Sequence, residues 1–183
     1  MKLKSGRNTT LFEIKKMLKS GGFCYIIILF LTDKIGFQVI KMYFDDIELG
    51  MTVDTAPAEI KKEKMVAFAR DYDNIPLHTD EEYAKSTPFG KLIAPGVMSF
   101  MSVWAKYLEV DFFGAELLAG KSTKIEWLKP VFADDVLTGK ATVTNLVKRS
   151  PKNGLVEITI EAYNQDGVKV LVDVTEAIVK CRI

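Results

Sequence analysis

The last third of the chain alternates between apolar and polar residues in three runs: Thr138 to Arg149, Leu155 to Asn164 and Val168 to Cys181. A period of two is the pattern of a strand with one face in a core. Val156, Ile158, Ile160 and Ala162 share one face of the second run; Val168, Val170, Val172 and Val174 share one face of the third. Asn153-Gly154 and Asp166-Gly167 lie between the runs, and both dipeptides suit tight hairpin turns. The pattern predicts an antiparallel meander, with an earlier strand over Ser122 to Leu128 ahead of Lys129-Pro130-Val131.

Upstream the period lengthens. Thr52 to Ala58 reads as a short strand or extended lead-in, and Ile60 to Tyr72 as a helix, with Met65, Phe68 and Ala69 at helical spacing and Lys61 to Lys64 on the wet side. The stretch Asp71 to Pro76 breaks that helix, and the proline pushes Ile75 toward extended backbone. Thr79 is placed to cap a short helix over Asp80 to Lys85, whose early acidic residues suit a helix N-terminus. Thr87-Pro88-Phe89-Gly90 reads as a turn. Pro95 to Leu108 is the most apolar long segment of this region, opens on a proline and is apolar nearly all round, which predicts a buried helix. Gly96, Ser99, Ser102 and Ala105 recur every third residue, giving it a small-residue side where something can come close. One long helix and a curved antiparallel sheet make an α+β architecture. The sheet covers one side of such a helix, so its remaining apolar surface points to further cover from a second subunit.

Charge divides the chain unevenly. Of 25 basic and 24 acidic residues, eight basic and two acidic precede Met42, so the body from Met42 onward is mildly acidic. That balance argues against nucleic acid as the main partner. The apolar run Gly22 to Leu31 is shorter than the ~20 residues a spanning helix needs, so no membrane span is expected. Basic residues precede it as in a signal peptide, yet Thr32, Asp33, Lys34 and Ile35 follow it without a small-x-small cleavage site. Because the charge balance changes and the compact pattern begins at Met42, residues 1–41 read as an N-terminal extension, upstream sequence translated in frame, and residues 42–183 as one domain. Mass analysis of the natural N-terminus checks this, and peptides from residues 1–41 would refute it. Cys24 and Cys181 are far apart and form no CxxC or Cys/His cluster, which points to a reducing, cytoplasmic setting without a zinc site.

His78 is the only histidine, so a multi-histidine metal site is excluded and no metal is expected. It follows Asp73 by five residues across the proline-bent loop. A histidine can give or take a proton near neutral pH, and a carboxylate can orient it or share a water with it. Addition of water across a conjugated double bond needs such a pair. It also needs donors for the negative charge gathering on the carbonyl oxygen, and Ile93-Ala94-Pro95-Gly96 offers a helix N-terminus for that purpose. Gly96, without a Cβ, would let a substrate approach the backbone. Spacing alone also admits a plainer reading, in which His78 caps the helix region that follows or packs in the core.

The stretch FARDYDNIPLHTDEEYAKSTPFGKLIAPGVMSFMSVW resembles the signature of the MaoC-like dehydratase family, which includes the (R)-specific enoyl-CoA hydratases. The matching positions are Asp73, Pro76, His78, Asp80-Glu81, Phe89-Gly90 and Ile93-Ala94-Pro95-Gly96, and the later KIEWLKPVFADDVLTGKATV is similar to the family's strand ending in Pro-Val. The resemblance spans Met42 to Ile183. It implies a hotdog fold, a long central helix wrapped by a curved antiparallel sheet, in a homodimer or higher homo-oligomer. It implies Asp73 and His78 as catalytic residues on one water and the Gly96 amide as oxyanion donor. The substrate implied is a 2-enoyl-CoA or 3-hydroxyacyl-CoA, with no separate cofactor because CoA is part of the substrate. Two positions depart from the pattern: Ile75 stands where many members carry Asn, and Pro95 where many carry His. Some members have a serine inside the central helix, for which Ser99 and Ser102 are both candidates.

Other residues have plainer readings beside functional ones. Asp71 could compete with Asp73 or help end its helix. Asp80, Glu81 and Glu82 could ligate a metal or serve a helix N-terminus. Phe100 and Trp104 could line an acyl channel or fill the core, and Lys121, Lys124, Lys129 and Lys148 could meet CoA phosphates or solvent. A hotdog thioesterase and a non-catalytic acyl-thioester binding module are the competing functions.

Overall fold

The computed structural model describes residues 42–182, so the expectation about residues 1–41 lies outside the described residues. After a turn of 3-10 helix at Phe44–Asp46, the chain runs through β1 (Thr52–Asp54), β2 (Ala58–Glu59), α1 (Lys62–Tyr72), α2 (Pro76–Thr79), α3 (Glu81–Lys85), α4 (Gly96–Glu109), β3 (Leu117–Trp127), β4 (Val136–Lys148), β5 (Asn153–Tyr163) and β6 (Lys169–Lys180). The sheet has six strands in the order β1-β4-β5-β6-β3, with β2 paired to β4, and every pairing is antiparallel. The expected α+β architecture is present.

The core lies between the inner sheet face and α4. On β5 the expected face is fully inward, with Val156, Ile158, Ile160 and Ala162 no more than 1% exposed. Burial of four such side chains contributes roughly 1.5–3 kcal/mol for each of the larger ones. The helix approaches the sheet at Gly139, where an added Cβ would stand 2.6 Å from Val103.

Four local expectations change. On β6 the valines do not share the core face. Tyr163 pairs with Lys169 but Ala162 with Leu171, so Val170 is an extra residue in that strand. Such a bulge flips the phase of everything after it. The inward set becomes Leu171, Asp173, Thr175, Ala177 and Val179, and Val172 and Val174 turn outward. Asn153-Gly154 is not the hairpin turn either. Gly154 pairs with Lys148 inside the ladder, and its missing Cβ leaves room for the Phe44 ring. The turn lies over Ser150-Pro151-Lys152, where Ser150 Oγ accepts from the amides of Lys152 and Asn153. Asp166-Gly167 does turn as expected, with Gly167 at φ +72° and Asn164 Oδ1 accepting from the amides of Asp166 and Val168. Thr79 ends α2 and donates to the Ile75 carbonyl; Asp80 caps α3 instead, accepting from the amides of Glu82 and Tyr83.

The fourth change concerns α4. Its inner side buries Met98, Ser99, Phe100, Val103 and Tyr107, but Val97, Met101 and Leu108 remain 46–50% exposed. The stripe of small residues does not follow one side: Ser99 is buried, Ser102 half-buried and Ala105 exposed. A three-residue step falls short of the 3.6-residue turn, so the row drifts around the helix.

Candidate active site

Asp73 is the residue that ends α1. Its amide donates to the Ala69 carbonyl at 2.8 Å, and its φ of −153° turns the chain out of the helix. Ile75 is extended, as a residue before proline should be, and Pro76 opens the single turn that carries His78. The bend folds this turn back on α1. The His78 Nε2 then stands 3.3 Å from Asp73 Oδ2. The imidazole is buried, whereas the Asp73 side chain is 45% exposed.

The other ring nitrogen fixes the histidine. Nδ1 lies 2.7 Å from the Ile93 carbonyl oxygen. A carbonyl only accepts, so Nδ1 carries the hydrogen and Nε2 is the nitrogen presented to Asp73. The Ile93 carbonyl is itself held in place: Ile93 bridges to Phe132, and the Ala94 amide donates to the Val131 carbonyl at 2.7 Å. Three residues after Ile93, α4 begins at Gly96. The first amides of a helix have no partner within it, and the Gly96 amide has no acceptor among the described residues. The positive end of the helix dipole adds to its affinity for a negative oxygen.

Asp73 opens on a cavity of about 310 Å³ whose other walls are Phe68, Tyr72, Pro95, Val97 and Met101. It is largely apolar, as sites for small organic ligands are, with the carboxylate as the charged group in its wall. The structure thus brings Asp73 and His78 into contact and places the start of α4 beside them. Sequence reasoning missed the Ile93 carbonyl, which orients the imidazole, and the Trp127 indole, which lies against Gly96. Backbone acceptors carry no residue-type signal, and Trp127 is distant in sequence. The missing Cβ of Gly96 has a different immediate reason from the expected one: the space belongs to the Trp127 ring, 2.6 Å from where that Cβ would be.

Several of the other residues singled out in the sequence have partners within the fold. Asp71 is exposed in the last turn of α1. Asp80 is the cap of α3, Glu81 pairs with Lys62 at 2.6 Å and Glu82 with Lys85 at 2.7 Å. Ser99 and Ser102 turn their hydroxyls onto the Pro95 and Met98 carbonyls of their own helix. Phe100 and Trp104 pack ring to ring at 5.7 Å, and Trp104 continues onto Tyr107 at 5.2 Å. Lys121 pairs with Glu176 and Lys148 with Asp45.

A family model described as "MaoC like domain" matches residues 46–165. The chain belongs to the MaoC-like domain family. The uncharacterized protein YdeM of Bacillus subtilis is 29% identical to this MaoC-like chain over 133 residues, covering 70% of the chain and 92% of YdeM. The crystal structure of a MaoC-like dehydratase from Rhodospirillum rubrum is 26% identical and superposes with a TM-score of 0.68, covering 78% of this chain and 99% of that one. An (R)-hydratase from A. caviae involved in PHA biosynthesis is also 26% identical, with a TM-score of 0.60 over 74% of this chain and 98% of its own. The MaoC-like chain therefore has the hotdog fold, with its sheet unclosed, and its structural neighbours include dehydratases and hydratases. No helix among its described residues is long and apolar enough to cross a membrane.

Proposed function

We propose that this protein adds water to a 2-enoyl thioester of CoA, or removes it from the 3-hydroxyacyl thioester, with Asp73 and His78 acting on a single water. The observation that carries this reading is the 3.3 Å approach of His78 Nε2 to Asp73 Oδ2 on the wall of an apolar cavity. In hydration, the water oxygen bonds to the β-carbon and gives a proton to one member of the pair. The electrons of the double bond move toward the thioester, and its carbonyl oxygen takes the charge. The unpartnered Gly96 amide at the positive end of α4 supports that oxygen. The proton taken from water is relayed through the pair to the α-carbon, so both parts of the one water end on the substrate, and water comes off by the reverse path. The Ile93 carbonyl keeps the imidazole turned toward the water throughout. This path asks for no separate cofactor, since CoA belongs to the substrate.

A homodimer is part of the same proposal. The exposed Val97, Met101 and Leu108 of α4 and the edge of β3, unpaired among the described residues, supply a surface for a second copy. Sedimentation of the purified protein tests this, and a monomer at micromolar concentration would refute it.

The catalytic reading is tested by following crotonyl-CoA with two signals at once. Hydration removes the enoyl absorbance and releases no thiol, and His78→Ala lowers the rate by on the order of 10²–10⁴-fold. Thiol release would make the protein a thioesterase. Saturable binding without either signal would make it a binding module.

A further inference from the structure

Trp127 ends β3 and pairs with Leu171 of β6, so its side chain rises on the inner sheet face together with the buried Leu171. It meets the start of α4 through the pyrrole edge of its indole. A Cβ on Gly96 would stand 2.6 Å from both Nε1 and Cε2 and 3.0 Å from Cδ1. The edge that carries the N–H is therefore the part nearest Gly96. Tryptophan N–H groups in packed positions usually find an acceptor. This one has none among the described residues, and the side chain is still 52% exposed. The Gly96 amide beside it is also without an acceptor. Two N–H donors from separate elements thus stand around one Cα at the positive end of a helix, whose flanking residues Pro95 and Val97 line the cavity on which Asp73 opens.

We propose that Trp127 is a second donor to the thioester carbonyl oxygen, its indole N–H acting beside the Gly96 amide; this rests on the hydratase reading above. Substrate oxygen at hydrogen-bond distance from the Gly96 amide lies next to the same Cα that the indole edge touches. A neutral N–H suits the task, because it stabilises charge on the oxygen without transferring a proton that the acid/base pair must control. It also gives the close contact at Gly96 a use: any side chain there would push the donor away.

Trp127→Phe keeps a flat apolar ring at a half-exposed position and removes only the donor. Its kcat for crotonyl-CoA hydration is expected to fall tenfold or more, with KM within about threefold, because loss of one oxyanion donor acts on the transition state. An unchanged melting temperature confirms that the fold is intact. A Trp127→Phe protein that turns over like the parent would overturn the proposal. A second readout needs no turnover. In Asp73→Asn protein carrying ¹⁵N-tryptophan and ¹⁵N-glycine, crotonyl-CoA is expected to move the Trp127 indole N–H and Gly96 amide resonances downfield, leaving Trp104 in place. A shifted Gly96 amide with an unmoved Trp127 would remove the indole from the site and leave the hydratase reading standing. No saturable shift at either position, together with no turnover by the parent protein, would overturn the hydratase reading and this inference with it.

Discussion

Asp73 leaves the end of α1 with 45% of its side chain in solvent and an imidazole nitrogen 3.3 Å away. Asp173 sits in the middle of β6 with no exposed surface, and its side-chain partners among the described residues are hydroxyls. Thr123 Oγ1 lies 2.6 Å from its Oδ1, Thr175 Oγ1 lies 2.9 Å from its Oδ2, and the two threonine oxygens are 2.5 Å apart. Three contacts need three hydrogens. The threonines have two between them, so an ionised Asp173 would leave one contact between bare oxygens. A protonated Asp173 supplies the third and closes the ring. Burial also pushes its carboxyl up from the ordinary value and outweighs the hydrogen bonds with Thr123 and Thr175, which pull it down. The same functional group therefore stands half in solvent beside an imidazole at one place, and buried among hydroxyls at the other, where its neutral form is favoured. What differs is access to solvent and the partner provided by the fold.

The widest gap between the two should appear in turnover. Asp73→Asn is expected to slow hydration by on the order of 10²–10⁴-fold, and Asp173→Asn to leave it within about twofold. Equal losses would break the distinction. Stability should separate them in the opposite sense. Asp173→Ala leaves the buried Thr175 hydroxyl without its carboxyl partner and should cost about 1–3 kcal/mol in urea unfolding. Asp73→Ala, at a partly solvated site, should cost less than about 0.5 kcal/mol. The smallest effect is in pH dependence. Because the folded-state value of Asp173 is raised, the native protein holds its proton where the unfolded chain has lost it. The stability from this group is complete below ~3.9, the unfolded value, and declines as pH rises from there through the raised folded value. Asp173→Asn should flatten that part of the stability–pH curve, measured by melting temperature. An unaltered curve would mean that Asp173 titrates normally.

Much of this comparison could be read before folding, but not all of it. The helix ending at Asp73, the proline bend and the nearness of His78 are consequences of a few adjacent residues. They appear in the structure as the sequence pattern indicates. The buried carboxyl was invisible, since Asp173 stood among valines assigned to the opposite phase. Val170 decided that phase by entering β6 as an unpaired extra residue.

The sequence by itself determined the features whose cause is local: strand and helix periods, the Asp166-Gly167 turn, the bent loop from Asp73 to His78 and the proline at the head of α4. Tertiary structure decided the rest. It placed Phe44 over Gly154 and Trp127 over Gly96, and it turned the imidazole onto the Ile93 carbonyl. It buried one side of α4 and left Val97, Met101 and Leu108 exposed on the other. Periodicity records which residues can lie on a common face, because backbone geometry repeats along the chain. Which face meets the core, and what fills the space beside a missing Cβ, depends on residues far away in sequence that only the closed fold brings into contact.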